Sequence, residues 1–258
     1  MGNSSSSPSS EGPFTLADVV LRPDGGPGWD GGSIHGVYLI RNPKPWANLS
    51  DAWLLFYTGM PKLNPLASRK IGVAYAPSLN SAFTKWGPVL SANPDPAAVD
   101  SSSVSNAAPA FDLDGSGRIL MAYKGLGKAQ PSKPPCTDGS GKACISVAEA
   151  RHWAGPYEHV TAEAGMRFPG EDPSVWQGPR GWHMVFEHYA GPKPPHQYKG
   201  TRSGAHAWSL DGLNSRRRDC HSADTPLFIP IETPTRGTGG CHQMTVSPTA
   251  RPELDGER

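Results

Sequence analysis

A chain of 258 residues with a formal net charge of +1 and 18% charged residues carries no field of one sign large enough to hold a polyanion. The basic run Arg216-Arg217-Arg218 is only three residues long, so nucleic-acid binding is not expected. No apolar run approaches the roughly 20 residues needed to span a bilayer, and 30 Gly and 28 Pro without a period indicate many short turns rather than collagen.

In chain order, residues 1–12 (MGNSSSSPSSEG) are low-complexity and are expected to stay disordered, because they cannot bury enough surface to offset the entropy of ordering. They also match the M-G-x-x-x-S pattern for acylation at Gly2. Residues 13–258 are read as one domain. Phe14 to Leu21 form one candidate strand, followed by a glycine-rich approach to Trp29-Asp30. SIHGVYLIRN, AWLLFYTG and KIGVAYAPS then follow as β-rich runs bounded by turn residues, with Phe83 to Pro88 behind them. Between the first two lies the sequon Asn48-Leu49-Ser50.

The pattern recurs. VDSSSVSNAAPAFDLDGSGRILMAYKG places an acidic residue, a strand, a turn and a strand in sequence, and ISVAEA follows as IGVAYA did. Trp153 to Tyr157 align with Trp86-Gly87-Pro88. A third copy runs through GEDPSVW, GWHMVFEHY and SGAHAWSLDGL. Within it, Ser174 to Trp176 and Trp182 to Phe186 read as strands joined by the turn Gln177 to Gly181. Repeats of several antiparallel strands indicate an all-β chain, a β-propeller whose blades bury their faces against one another. The clear repeats span about residues 29–215; residues 1–30 and 220–258 read as remnants, with the C-terminal blade incomplete or divergent. Asp112 to Gly117 imitate the start of a calcium loop, but Tyr123 stands where the bidentate Glu would be, so a hairpin turn is expected.

Four cysteines are expected to pair as Cys136 with Cys144 and Cys220 with Cys241, each clipping a loop in an oxidising compartment. None has the spacing of a zinc site, and no metal or other cofactor is expected. The paired cysteines suggest an extracellular location, although no signal peptide is visible.

Each copy opens on an acidic residue before its first strand: Asp30, Asp100, and Glu171 or Asp172. Asp is a common turn former, but three at one repeat phase point to carboxylates converging at one mouth of a channel. Glycosidic bond cleavage needs such a set, one group protonated and one ionised. The series WDGGSIHG, YTG, RKIGVAYAPSL, VDSSSVSNAAPAF, DGSGRILMAYKG, RHWAGPYEHV, GEDPSVW, GWHMVFEHY and GAHAWSLDGL resembles five-bladed β-propeller glycoside hydrolases. The likeness is to the family 43-like proteins of the arabinanase, levansucrase and invertase superfamily. It implies a glycosidase with an inverting acid/base mechanism. By position, Asp30 resembles the general base, Asp100 the carboxylate that tunes the acid, and Glu171 the general acid. The Glu-Asp-Pro motif also resembles that of β-mannoside phosphorylases, which leaves Glu171 and Asp172 to be ranked; phosphorolysis would need a basic cluster, for which only Lys124 and Arg180 offer themselves.

Asp172, His35, Asn106, Lys124, His183 and His206 are candidate contacts to sugar hydroxyls, and Trp176, like Trp29, could stack on a sugar ring. The expected partner is a carbohydrate bound by a monomer. The alternative is a non-catalytic carbohydrate-binding or degenerate propeller.

Overall fold

The computed structural model describes residues 19–42, 53–63, 68–127, 143–160, 168–190, 201–212 and 229–230. Gly2, Asn48, Cys136, Cys220, Cys241 and the start of the first candidate strand lie outside them. Among the described residues there is no helix, and the strands pair antiparallel. The first four-stranded unit orders β1 (Ser33–Arg41), β2 (Trp53–Met60), β3 (Lys70–Ala76) and β4 (Thr84–Leu90) as a meander. The second has β5 (Ser103–Phe111), β6 (Ile119–Leu126), β7 (Ala143–Ala150) and the short β8 (Glu158–His159). The third has β9 (Phe168–Gly178), β10 (Gly181–Ala190), β11 (Thr201–Ser209) and β12 (Ile229–Pro230). Two residue pairs, Cys144 with Pro169 and Ile145 with Phe168, join β7 to β9.

The pleat explains the near-continuous apolar runs of the middle unit. Successive side chains point to opposite faces of a strand, so a sheet buried on both faces needs apolar residues at every position. In β6, Ile119, Met121 and Tyr123 face the first unit, where Leu54, Phe56, Ile71 and Val73 complete a core with Trp153. The alternate residues Leu120 and Ala122 face the third unit, with Ile145, Val147, Phe168, Val175, Trp182, Met184 and Phe186. Fully burying each large apolar side chain stabilises the fold by about 1.5–3 kcal/mol. Among the described residues, only one face of the third unit is covered in this way. On β10, Trp182, Met184 and Phe186 are buried, whereas Val185 between them is 41% exposed.

The outer face of the first unit is capped by the chain ahead of it. Leu21, Trp29 and Ile34 pack on Leu55, Tyr57, Ala74, Ala76 and Phe83. Trp29 stacks on Tyr57 at 5.4 Å between ring centroids, and a Cβ at Gly59 or Gly72 would lie 2.3 Å from its ring. Glycine is therefore required where that indole crosses the sheet.

Two local expectations change. Residues 19–21 are not in a strand, and Trp153 to Tyr157, aligned with Trp86-Gly87-Pro88 of β4, lie outside any strand, ahead of the two-residue β8. Asp112 to Gly117 do form the hairpin turn, with the Asp112 amide donating to the Arg118 carbonyl at 2.8 Å and the Ser116 amide to Asp114 Oδ1 at 2.6 Å.

Candidate active site

The first strand of every unit is kinked at one place. Register shifts fall between His35 and Tyr38 in β1, between Ser105 and Ala108 in β5, and opposite Val185 to Glu187 in β9. Each bulge holds one residue in the left-handed region: Gly36 at φ 57°, Asn106 at 53° and Asp172 at 54°. A β-bulge re-aims a side chain and tolerates a residue that cannot join the ladder, which is why Pro173 sits inside β9. The acidic pair was expected at a strand entrance. Instead, β9 begins at Phe168 and runs through both carboxylates.

The three bulges lie side by side. A Cβ at Gly36 would stand 3.0 Å from Asn106 Oδ1, the Asn106 amide donates to Thr58 Oγ1 at 2.9 Å, and Asn106 Nδ2 donates to Asp172 Oδ1. The Lys124 ammonium pairs with Glu171 Oε2, burying both side chains to 13% and 8% exposure. Glu187, opposite Glu171 in the ladder, completes the group: one carboxylate oxygen each from Glu171, Asp172 and Glu187 lies within 4.8 Å of the others. His35 stands close enough to feel Arg69, Lys124 and Asp172. Burial, reinforced by the two cations and only partly offset by Asp172, holds its imidazole below the usual range, so it is neutral near pH 7. Its Nε2 is buried without a hydrogen-bond partner. The three carboxylates are of the donor type that suits a hard divalent cation, but Lys124 already neutralises one of them.

Asp30 and Asp100 have a different setting. Asp30, 1% exposed, accepts from Tyr57 Oη at 3.4 Å and from Lys85 Nζ at 2.6 Å, and Lys85 also pairs with Asp24. Asp100, 3% exposed, accepts from Tyr123 Oη and lies 2.8 Å from His159 Nδ1. Burial opposes ionisation of Asp100, but the bonds from His159 and Tyr123 outweigh it and hold the carboxyl below its usual range. Burial and the neighbouring carboxylates push the Tyr57 and Tyr123 phenols up. Both aspartates are thus tied within their own units, over Gly59 and Gly125, whose added Cβ would come within 2.6 Å of the aspartate Cβ.

This corrects the notion of one repeat phase. Asp30 and Asp100 each precede their left-handed bulge residue by six positions, whereas Glu171 precedes Asp172 by one. The residues in phase with Glu171 are His35 and Ser105, as their pairing with Thr58, Lys124 and Glu187 shows. The third unit also lacks the anchor, since Phe186 stands in the ladder where Tyr57 and Tyr123 stand.

Of the other candidates, Asn106, Lys124, Asp172 and His35 join Glu171 at the bulges. Trp176, His183 and His206 gather elsewhere on the third unit, about five strand residues or ~16 Å from Glu171. Cys144 is disulfide-bonded; its partner, and so the expected link to Cys136, lies outside the described residues. Glu187, Thr58 and Arg69 were not singled out in the sequence. Glu187 becomes visible only by counting back from the Pro179-Arg180 turn with a bulge included, and the bulge is a tertiary feature.

No protein-family model matches the chain, and no curated protein matches its sequence. Solved structures do match its fold. One, described as showing that the family 130 mannoside phosphorylases contain glycoside hydrolases targeting β-1,2 mannosidic linkages in Candida mannan, aligns with a TM-score of 0.53 and 11% identity over 83% of this chain and 56% of that one. A glycosyl hydrolase from Bacteroides ovatus aligns with a TM-score of 0.51 and 12% identity over 80% of this chain and 50% of that one. The chain spans about half the length of the solved structures it matches. What it shares with these glycoside hydrolases is the fold.

Proposed function

We propose that the chain is a glycosidase, built on the plan of a five-bladed propeller, that cleaves an oligo- or polysaccharide at the three bulges. The observation that carries the reading is the gathering of Glu171, Asp172 and Glu187 within 4.8 Å, on strands flanked by Lys124, Asn106 and His35. Glu171 is the proton donor to the leaving oxygen, which requires that its ion pair with Lys124 open and the carboxyl take up a proton before the glycosidic bond breaks. The inverting scheme, with Asp30 as base and Asp100 tuning the acid, needs about 6.5–9.5 Å between the carboxyl groups for a water. It also asks both aspartates to serve the reaction from the networks that hold them to Lys85, Tyr57, Tyr123 and His159. The close cluster suits instead a retaining pair, for which about 5–5.5 Å is usual.

In that scheme an Asp172 oxygen attacks the anomeric carbon as the glycosidic C–O bond breaks, and the leaving oxygen takes the Glu171 proton. Water then attacks the same carbon, gives its proton to Glu171, and releases the Asp172 carboxylate. Asn106 orients Asp172 through its amide, and Lys124 pairs with Glu171 in the ionised form that proton transfer leaves behind.

The test is hydrolysis of a panel of aryl glycosides, with the anomer of the first-formed product read by proton NMR. Retained configuration, lost in Glu171→Gln and Asp172→Asn, supports the pair; inverted configuration returns the base to Asp30. Activity that survives in the Glu171→Gln, Asp172→Asn double variant would sink both. The second reading, a binding propeller without catalysis, draws on Gly36 and Asn106, which put no carboxyl at the first two bulges. It predicts saturable glycan binding and no turnover.

A further inference from the structure

Away from the bulges, the face of the third unit that no other described unit covers carries a patch of flat rings. His183 on β10 pairs across the ladder with Trp176 on β9, and His206 on β11 pairs with Val185, so the three side chains share one face. The imidazole planes of His183 and His206 differ by 5°, their centroids lie 5.2 Å apart, and His183 Nδ1 is 3.0 Å from His206 Nε2. A ring nitrogen bonds in its own plane, so the two imidazoles lie edge to edge. Trp176 is parallel to both within 11° and 8°. Counting four residues back along the second strand from Thr58, Lys124 and Glu187 gives Leu54, Leu120 and His183. The two leucines are 0% exposed between units. An imidazole therefore replaces a core leucine on the one face that no described unit covers.

We propose that His183 and His206 form a two-imidazole site for a borderline divalent transition cation, Zn(II) or Cu(II), separate from the carboxylate cluster. Neutral imidazole is the commonest ligand for such ions. Burial holds both rings below the usual imidazole range, helped at His183 by His206 and Arg180, so both are neutral at pH 7. Two tetrahedral Zn–N bonds of about 2.0–2.1 Å hold their nitrogens roughly 3.3 Å apart. The present spacing of 3.0 Å needs a small opening, and each ring must turn by roughly 35° so that its lone pair points at the ion rather than at the other nitrogen. The proton now shared between the facing nitrogens moves to the far nitrogen of its ring, so each imidazole stays neutral and no proton is lost. Water fills the remaining positions.

The experiment uses the full chain without an affinity tag, titrated calorimetrically with ZnCl₂ and by EPR with Cu(II) at pH 7.5. One equivalent should bind, with a Cu(II) spectrum showing coupling to two imidazole nitrogens. His183→Ala or His206→Ala should each weaken binding at least tenfold, and His183→Asn, which keeps a polar group of similar size, should do the same if alanine impairs folding. Lowering the pH to 5 should release the ion as the imidazoles protonate. No binding at millimolar metal, a spectrum with fewer than two nitrogen couplings, or equal uptake by the His183→Ala, His206→Ala double variant would overturn the site. None of these results bears on glycoside hydrolysis.

Discussion

The first two units and the third share a ladder and a bulge but place their carboxylates at different distances from it. In the first two, an aspartate six residues ahead of the bulge is locked beneath a tyrosine and a nitrogen-bearing side chain: Asp30 with Tyr57 and Lys85, Asp100 with Tyr123 and His159. In the third, Phe186 offers no hydroxyl to an anchor, and the acids sit at the bulge itself, facing Lys124 and Asn106. A repeated polar residue can thus be a pin that holds a unit together, while the candidate site sits where the repeat is broken.

The comparison is broken most sharply by Glu171→Gln. Turnover of aryl glycosides should fall by about 10²–10⁴-fold, as loss of a general acid does. The amide keeps the shape of the side chain, so the melting temperature should fall only by the share that the Lys124 ion pair contributes. Asp30→Ala should behave the other way round. It leaves the buried Tyr57 hydroxyl without its acceptor and Lys85 with Asp24 alone, costing about 1–3 kcal/mol in urea unfolding. If Asp30→Ala instead removed activity and left stability intact, the distinction between pin and reactive acid would fail.

Acid titration separates the regions by pH. The folded-state value of Asp100 lies below its unfolded one, so its contribution is present above about pH 3.9 and is lost as pH falls through the folded value. His35, His183 and His206 are also depressed when folded. Their contribution is present above about pH 6.5 and is lost as pH falls from there towards the folded values. Unfolding free energy should therefore decline in two stages, and Asp100→Asn should flatten only the lower one. Tyr123→Phe should cost about 1–3 kcal/mol, since Asp100 loses a buried donor. Gly36→Ala is the smallest change, about 1–2 kcal/mol, from its φ of 57° and a new Cβ 3.0 Å from Asn106 Oδ1.

Alternation, turn residues and the repeated ISVA-like runs were enough to read an all-β chain of repeated antiparallel units from the sequence, because each is a local property. The two-sided burial of β6 is written in the run Ile119 to Tyr123, and the hairpin at Asp112 to Gly117 in its own glycines. The acidic motif Glu171-Asp172 was likewise legible as a candidate site. The phase of the carboxylates was not. It depends on one extra residue in β1, β5 and β9, and a bulge leaves no mark in the residue pattern, since glycine, asparagine and aspartate fill it in turn. Nor did Asp30 and Asp100 announce their burial, because Tyr57, Lys85, Tyr123 and His159 reach them from strands 23 to 59 residues away in the chain. Strand identity is decided within a few residues. The neighbours that turn a carboxylate into an anchor or a reactive acid are decided only when separate strands pair.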